Sequence, residues 1–290
     1  MTRDDIEKTV EPIIRECLRK FGDYSRPGMS VEEFAERIAG TLRPDIRRIS
    51  LLISLMQYAA GFEFEGEGLE LGCGYGCLLF PMAVFFPGVH WTAVEHPDRR
   101  FFNRPDFRQA IQDYRCQLAG LDFAHEPLPF VDQHFSVITF SETMEHLPVE
   151  QLNFVLGEIS RVLRPGGLLI ASSPNQASLE NRIRLCKGKS VFDLPDHLAV
   201  AKGIFGHIRL YTPAEMSLMM RQRGFSLERS VLESNNSAYR GASLKSLRSR
   251  LYAFYERVEQ RLGFLRSFGD TWYMVFRKNA SGTELMVGRS

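Results

Sequence analysis

Leu69-Glu70-Leu71-Gly72-Cys73-Gly74-Tyr75-Gly76 is the stretch from which the rest of the chain is read. Its apolar start suits a short buried strand. Its glycines let the backbone reverse tightly and approach a ligand closely before a helix begins at about residue 77. The spacing is G-x-G-x-G. A dinucleotide-binding turn would read G-x-G-x-x-G, with a pyrophosphate resting on the helix N-terminus. Glu70, at the strand end, would repel a pyrophosphate but favour a cationic ammonium or its solvating water. A βα turn that binds nothing is the alternative at this point.

Outward from this turn, short apolar segments alternate with helical ones. Strands are expected at 68–71, 90–95, 116–121, 135–140 and 168–173, with helices at 77–86, 103–114 and 149–163, the last ending in Arg164-Pro165-Gly166-Gly167. Near-continuous apolar strands between helices indicate a parallel sheet covered on both faces, an α/β fold. Thr212 and Glu215 form a capping-box pattern with Pro213 at the first helical position and Gly224 as the stop. Strands at 226–232 and 271–276 follow, separated by an amphipathic helix around 243–262. Upstream, Ile6, Val10, Ile13, Ile14, Cys17, Leu18 and Phe21 keep helical spacing, and Pro12 is expected to start or kink that helix. Ser30 and Glu33 suggest a second helix, with Phe34, Ile38 and Leu42 on its apolar face. Pro44 suits the first turn of a third and Gly61 its end. The expected organisation is an N-terminal helical extension over 1–65, a lid or a packing layer, then a domain over 66–278. Insertions at 175–206 and 233–269 interrupt that domain, and 279–290 form a polar tail.

The flanks of the glycine turn narrow the reading. Glu95 ends the second strand about 20 residues after the turn, where an acidic side chain can accept both ribose hydroxyls. Asp122 follows the third strand, placed to receive an adenine amino hydrogen, with Phe123 beside the ring. Then come Leu128-Pro129-Phe130, Phe135-Ser136-Val137-Ile138 and Leu163-Arg164-Pro165-Gly166-Gly167. In this order, over about 67–276, the chain resembles the class I S-adenosylmethionine-dependent methyltransferase family. The resemblance implies a Rossmann-like seven-stranded sheet with an antiparallel last strand, and S-adenosylmethionine as cofactor. It implies that Glu70, Gly72, Cys73 and Gly74 meet the methionine end, Glu95 the ribose, and Leu121, Asp122 and Phe123 the adenine. Ser141 matches a position whose backbone meets the methionine portion. Were the register after the third strand displaced, the backbone near Ala119 or Gly120 would take the role of Asp122. Cys73 and Cys77 have no second ligand pair to suggest zinc and read as a turn residue and a core cysteine.

The segment Ser141-Glu142-Thr143-Met144-Glu145-His146-Leu147 leaves the carboxyl end of the fourth strand, where open parallel sheets bind ligands. On a helical turn, Glu142, Glu145 and His146 would share one face, able to hold a divalent cation or assist proton removal. The run from His207 through Tyr211, Thr212 and Glu215 is similar to the segment after the fifth strand in O-methyltransferase subfamilies. In small-RNA and ubiquinone-pathway enzymes of that kind, E-x-x-E-H binds a metal, and in the RNA enzymes a later histidine completes the site. The resemblance therefore offers Glu142, Glu145, His146 and His207 as a ligand set. The reading preferred over it is a metal-free site where His146 or His207 polarises the acceptor. In a third reading Glu145 and His146 brace a helix and His207 is satisfied in the core. Arg182, Arg184, Lys187 and Lys189, followed by Phe192, Asp196 and His197, would suit an anionic acceptor or form a solvated face, and Arg240, Lys245, Arg248 and Arg250 read the same way. The lack of interleaved aromatics counts against nucleic acid. So does the absence of an Asn-or-Asp-Pro-Pro-Tyr motif after the fourth strand, which base-amino methylases would show.

Composition agrees with an ordinary folded, soluble protein. The 290 residues carry 36 Lys plus Arg against 35 Asp plus Glu, a net charge of +1, so no global field draws the protein to nucleic acid or membrane. No apolar run approaches the roughly 20 residues that span a bilayer, and the five cysteines are scattered. A reduced, cytoplasmic protein is expected. The expected reaction is methyl transfer from S-adenosylmethionine to a small-molecule acceptor, at a hydroxyl oxygen. The alternatives are metal-dependent RNA 2′-O-methylation and a non-catalytic S-adenosylmethionine-binding scaffold. Oligomeric state is not legible.

Overall fold

The apolar alternation beginning at the glycine turn folds as a sheet between two helical layers. The computed structural model describes residues 2–21, 42–61, 63–192, 207–233 and 269–280. Its strands are β1 (Gly66–Leu71), β2 (Val89–Glu95), β3 (Gln117–Gly120), β4 (Phe135–Ser141), β5 (Leu163–Pro174), β6 (Phe225–Glu233) and β7 (Thr271–Lys278). They form one seven-stranded sheet in the order β3-β2-β1-β4-β5-β7-β6, as the resemblance implied. β1 to β5 pair in parallel, while β7 is antiparallel to both β5 and β6. The order reverses between β1 and β4. Neighbouring loops diverge there and leave a crevice at the carboxyl ends of the strands.

The described helices are α1 (Arg3–Phe21), α2 (Leu42–Ala60), α3 (Leu79–Phe85), α4 (Pro105–Asp113), α5 (Val149–Val162), α6 (Leu179–Cys186) and α7 (Pro213–Arg221). α1 buries Ile6, Val10, Ile14, Cys17 and Phe21. They pack in one core with Ile46, Ile49 and Met56 of α2, Leu79 and Met82 of α3, and Val137, Ile170 and Val275 of the sheet. Each fully buried aliphatic side chain contributes about 1.5–3 kcal/mol, so this is a substantial packing layer. The opposite face joins Leu152, Leu156 and Ile159 of α5 and Met216 and Met220 of α7 to Ile138 and Leu169. No described helix is long and apolar enough to cross a membrane.

Where local chemistry sets the boundaries, they fall as read. Gly61, at φ +79°, ends α2. At α7, Thr212 Oγ1 accepts from the Glu215 amide, and the Glu215 carboxylate accepts from the Thr212 amide. Three expectations change. Pro12 does not start α1 but lies inside it, because the buried stripe on both sides of it outweighs the one backbone bond its ring removes. The helix after the glycine turn begins at Leu79, two residues later than read, with Leu78 at its N-cap. Arg164-Pro165-Gly166-Gly167 lies within β5: Phe135 pairs with Leu163, the register shifts, and Val137 then pairs with Leu168. The helix expected after Ser30, the helix at 243–262 and most of the tail lie outside the described residues. So do Asp196, His197, Arg240, Lys245, Arg248 and Arg250.

Candidate functional site

The carboxyl ends of β1, β2 and β4 frame a cavity of about 510 Å³. Gly72 and Gly74 form part of its wall, at φ +76° and +50°. A side chain at Gly72 would place its Cβ 2.7 Å from Thr143 Oγ1, whereas one at Gly74 would meet nothing within 4 Å. Glycine is therefore needed at 72 for space and conformation, and at 74 for conformation alone. The Gly74 amide donates to Glu95 Oε2 at 2.8 Å, and the His96 amide donates to Oε1 at 2.9 Å. Glu95 is 4% exposed. It thus clamps the glycine turn to the end of β2 and retains carboxylate lone pairs for a further donor.

Leu121, Asp122 and Phe123 line the same cavity. Asp122 is oriented by the Ala124 amide at 3.2 Å and by His125 Nδ1 at 2.7 Å. Of the residues read from sequence as the cofactor site, six meet here: Gly72, Gly74, Glu95, Leu121, Asp122 and Phe123. Cys73 is buried behind the turn, where desolvation and the nearby Glu95 push its thiol well above its ordinary range. Glu70 is also interior, and its Oε2 has no hydrogen-bond partner. Burial, then the negative potentials of Cys77 and Glu95, raise its carboxyl well above the ordinary value, while Arg48 pulls the other way. Ser141 Oγ lies 2.7 Å from Ser172 Oγ at the seam between β4 and β5.

The sequence reading missed His96, Asp98, Arg99, Ala124, Thr143 and Leu147 on this wall. It also missed Arg48 of α2, whose Nε is buried without a partner. Burial disfavours its charge, yet Asp45 and Glu142 more than offset that and hold the guanidinium protonated. The signal for Arg48 was a charge one residue before Ile49 and four before Leu52, at the edge of the apolar run that follows it in α2.

At the end of β4 the chain does not form the helical face expected from sequence. Glu142 takes φ +52°, and only Met144–His146 make a 3-10 turn. The two glutamates therefore part. Glu142, on the cavity wall, accepts from Ser172 Oγ at 2.8 Å, and the buried Glu145 accepts from Ser173 Oγ at 3.1 Å. Desolvation, followed by the charge of Glu142, raises the Glu145 carboxyl well above its ordinary value. The amide of Ile208 donates to the Glu145 carbonyl at 2.8 Å, which anchors the strap that starts at His207. His146 and His207 consequently meet, with ring centroids 5.2 Å apart. Ligand atoms of Glu145, His146 and His207 lie within 4.8 Å of one another; Glu142 does not join that group. His146 faces the 510 Å³ cavity, and His207 lines a second cavity of about 400 Å³.

A family model described as a methyltransferase domain matches residues 41–230. Among curated proteins, a ubiquinone biosynthesis O-methyltransferase of Maricaulis maris is 28% identical over 178 residues, covering 60% of this chain and 64% of that protein. The chain spans less than two thirds of the length of the first curated relatives it matches. Among solved structures, the [4+2]-cyclase SpnF aligns with a TM-score of 0.53 at 13% identity, covering 95% of this chain and 96% of the other. A putative sarcosine dimethylglycine methyltransferase from Galdieria sulphuraria aligns with a TM-score of 0.53 at 16% identity, covering 94% and 98%. At these identities the structural likenesses show the fold alone.

Proposed function

The chain belongs to the class I S-adenosylmethionine-dependent methyltransferase family, and from that premise we propose that it transfers a methyl group to a hydroxyl oxygen of a small-molecule acceptor. The observation that carries the reading is the single cavity joining the glycine turn, Glu95, the Asp122–Phe123 pair and His146. The residues fit S-adenosylmethionine. Glu70 Oε2 is a buried acceptor without a donor, suited to an ammonium, and Gly72 leaves a cradle that a Cβ would close. Glu70, Gly72, Gly74 and the backbone of Cys73 and Ser141 would hold the methionine end. Glu95 would hold the ribose, and Leu121, Asp122 and Phe123 the adenine.

Bound there, S-adenosylmethionine supplies a sulfonium-activated methyl carbon, whose departure leaves the bonding pair on sulfur. The chain's own work is alignment and proton handling. Glu95 keeps the glycine turn in one conformation. His146 or His207 takes the hydroxyl proton of the acceptor and returns it to solvent. Glu145, with its raised carboxyl, stays behind the pair and fixes the His207 strap through its backbone carbonyl. Oxygen as the methylated atom draws support from the name of the Maricaulis relative. Residues 66–278 would form the catalytic unit and 1–65 its extension.

The test is transfer of radiolabelled methyl from S-adenosylmethionine to a panel of hydroxylated compounds, with product analysis for O-methyl ethers. S-adenosylhomocysteine binding without transfer to any acceptor would favour a non-catalytic scaffold. A second reading draws on the convergence of Glu145, His146 and His207: a divalent cation held there would polarise the acceptor oxygen. Under that reading excess chelator abolishes turnover and a divalent ion restores it. Full activity in chelator leaves the histidines as proton acceptors.

A further inference from the structure

Asp122, on the wall of the large cavity, is fixed at both carboxylate oxygens. Its backbone carbonyl accepts the amides of His125 at 3.0 Å and Glu126 at 2.9 Å, which closes a tight turn over 122–126. Within that turn Oδ1 accepts the Ala124 amide at 3.2 Å. Oδ2 faces two imidazoles, with His125 Nδ1 at 2.7 Å and His96 Nε2 at 3.8 Å. The outer partners of the two rings place their protons. The Asp98 amide donates to His96 Nδ1 at 3.2 Å, so the His96 proton sits on Nε2, toward Asp122. Gln151, in the first turn of α5, sets its side-chain nitrogen 2.8 Å from His125 Nε2. An amide nitrogen only donates, so Nε2 accepts and the His125 proton sits on Nδ1, aimed at Oδ2. His125 and Gln151 stand outside the cavity wall, so whatever they do to a ligand passes through Asp122.

Resting on the methyl-transfer reading above, we propose that His125, braced by Gln151, is a positioning residue that fixes the Asp122 carboxylate so that the cofactor site takes a 6-aminopurine and rejects a 6-oxopurine. A carboxylate offers acceptors alone. It therefore pairs with the exocyclic amine of adenine, whereas the O6 of hypoxanthine would face it acceptor to acceptor. Hypoxanthine has one escape. Its N1–H, next to O6, is a donor that a carboxylate free to swing would follow. With Oδ1 on the Ala124 amide and Oδ2 on His125, that swing breaks a hydrogen bond. The His125 side chain is 62% exposed, so it contributes little as packing. Its bond to Gln151 ties the turn after β3 to the start of α5 and holds the imidazole in the tautomer that donates to Asp122.

The test compares the affinities of S-adenosylhomocysteine and its 6-oxo analogue, S-inosylhomocysteine, for the full chain by calorimetry. The unmodified protein should favour the amino form by roughly 10–100-fold, the worth of a hydrogen bond to a charged group. Asp122→Asn should collapse that ratio, since an amide donates to O6 as readily as it accepts from the amine. His125→Ala should lower it by about fivefold or more, chiefly by tightening the 6-oxo ligand, whereas a merely structural loss would weaken both ligands alike. His125→Asn, whose amide nitrogen takes the place of Nδ1, should restore most of the ratio, and Gln151→Leu should fall between. His90→Ala, at the far end of β2, should leave it unchanged. A ratio that Asp122→Asn collapses and His125→Ala leaves intact overturns the proposal and keeps Asp122 as the base reader. A ratio near unity in the unmodified protein, or one that neither variant moves, overturns it by taking the base away from Asp122. Absence of S-adenosylhomocysteine binding in the unmodified protein removes the methyl-transfer reading, and the proposal with it.

Discussion

At the β1–β2 end of the large cavity the backbone sets the geometry. Gly72, Gly74 and Gly76 all stand at positive φ, and Glu95 accepts the amides of Gly74 and His96. At the β4 end side chains set it: Glu142 on Ser172, Glu145 on Ser173, His146 against His207. The first end is local, built from two neighbouring strand termini. The second depends on a strap anchored to the Glu145 carbonyl by residues far along the chain. The two ends should therefore fail differently, the first in cofactor affinity and the second in rate.

The sharpest division is expected at the histidines. Changing the proton-accepting one of His146 and His207 to Ala should slow turnover by roughly 10²–10⁴-fold, with S-adenosylhomocysteine affinity nearly unchanged. Single-turnover rates and calorimetry on the same variants check this. A large affinity loss in both would mean the two ends act as one. Gly72→Val should come next, because the new side chain meets Thr143 while the backbone is strained. A cost of order 3 kcal/mol should bring S-adenosylhomocysteine binding near the limit of calorimetric detection. Gly74→Val carries strain without a clash and should cost less, about 1–2 kcal/mol.

Glu95→Ala should weaken the same ligand by about 1.5–3 kcal/mol through loss of hydrogen bonds to a charged acceptor. Unchanged affinity in folded protein would put the ribose elsewhere. The smallest effect is in pH. Burial and its negative neighbours hold the Glu70 carboxyl above its ordinary value in the free protein. An ammonium partner favours the ionised form, so binding lowers that value and releases protons. Affinity should rise with pH from the ordinary carboxylate range upward, then level once Glu70 ionises unaided. Calorimetry in buffers of different ionisation enthalpy reads the released proton directly, and Glu70→Gln should abolish it.

The same contrast explains what the sequence could disclose. The glycine turn, Glu95 and the Thr212–Glu215 cap were legible because each follows from residues close in the chain. Arg164-Pro165-Gly166-Gly167 reads in sequence as the end of a helix, yet it lies within β5, and the pairing of Leu163 with Phe135 is what reveals it. Glu142 was misplaced because a non-glycine residue at φ +52° leaves no mark in the sequence. Arg48 was missed because, beyond the local Asp45, the Glu142 whose charge it feels is brought near it only by the fold. His96, Asp98 and Arg99 lie in the turn after β2, and their place on the cavity wall depends on how that turn folds back over Glu95.

The most direct test of the account is a calorimetric titration of S-adenosylhomocysteine into the unmodified protein, paired with the same titration of NADH. The account predicts one saturable S-adenosylhomocysteine site with proton release, weakened in Glu95→Ala and near the limit of detection in Gly72→Val, and no comparable NADH binding. Tight NADH binding without S-adenosylhomocysteine binding would contradict it.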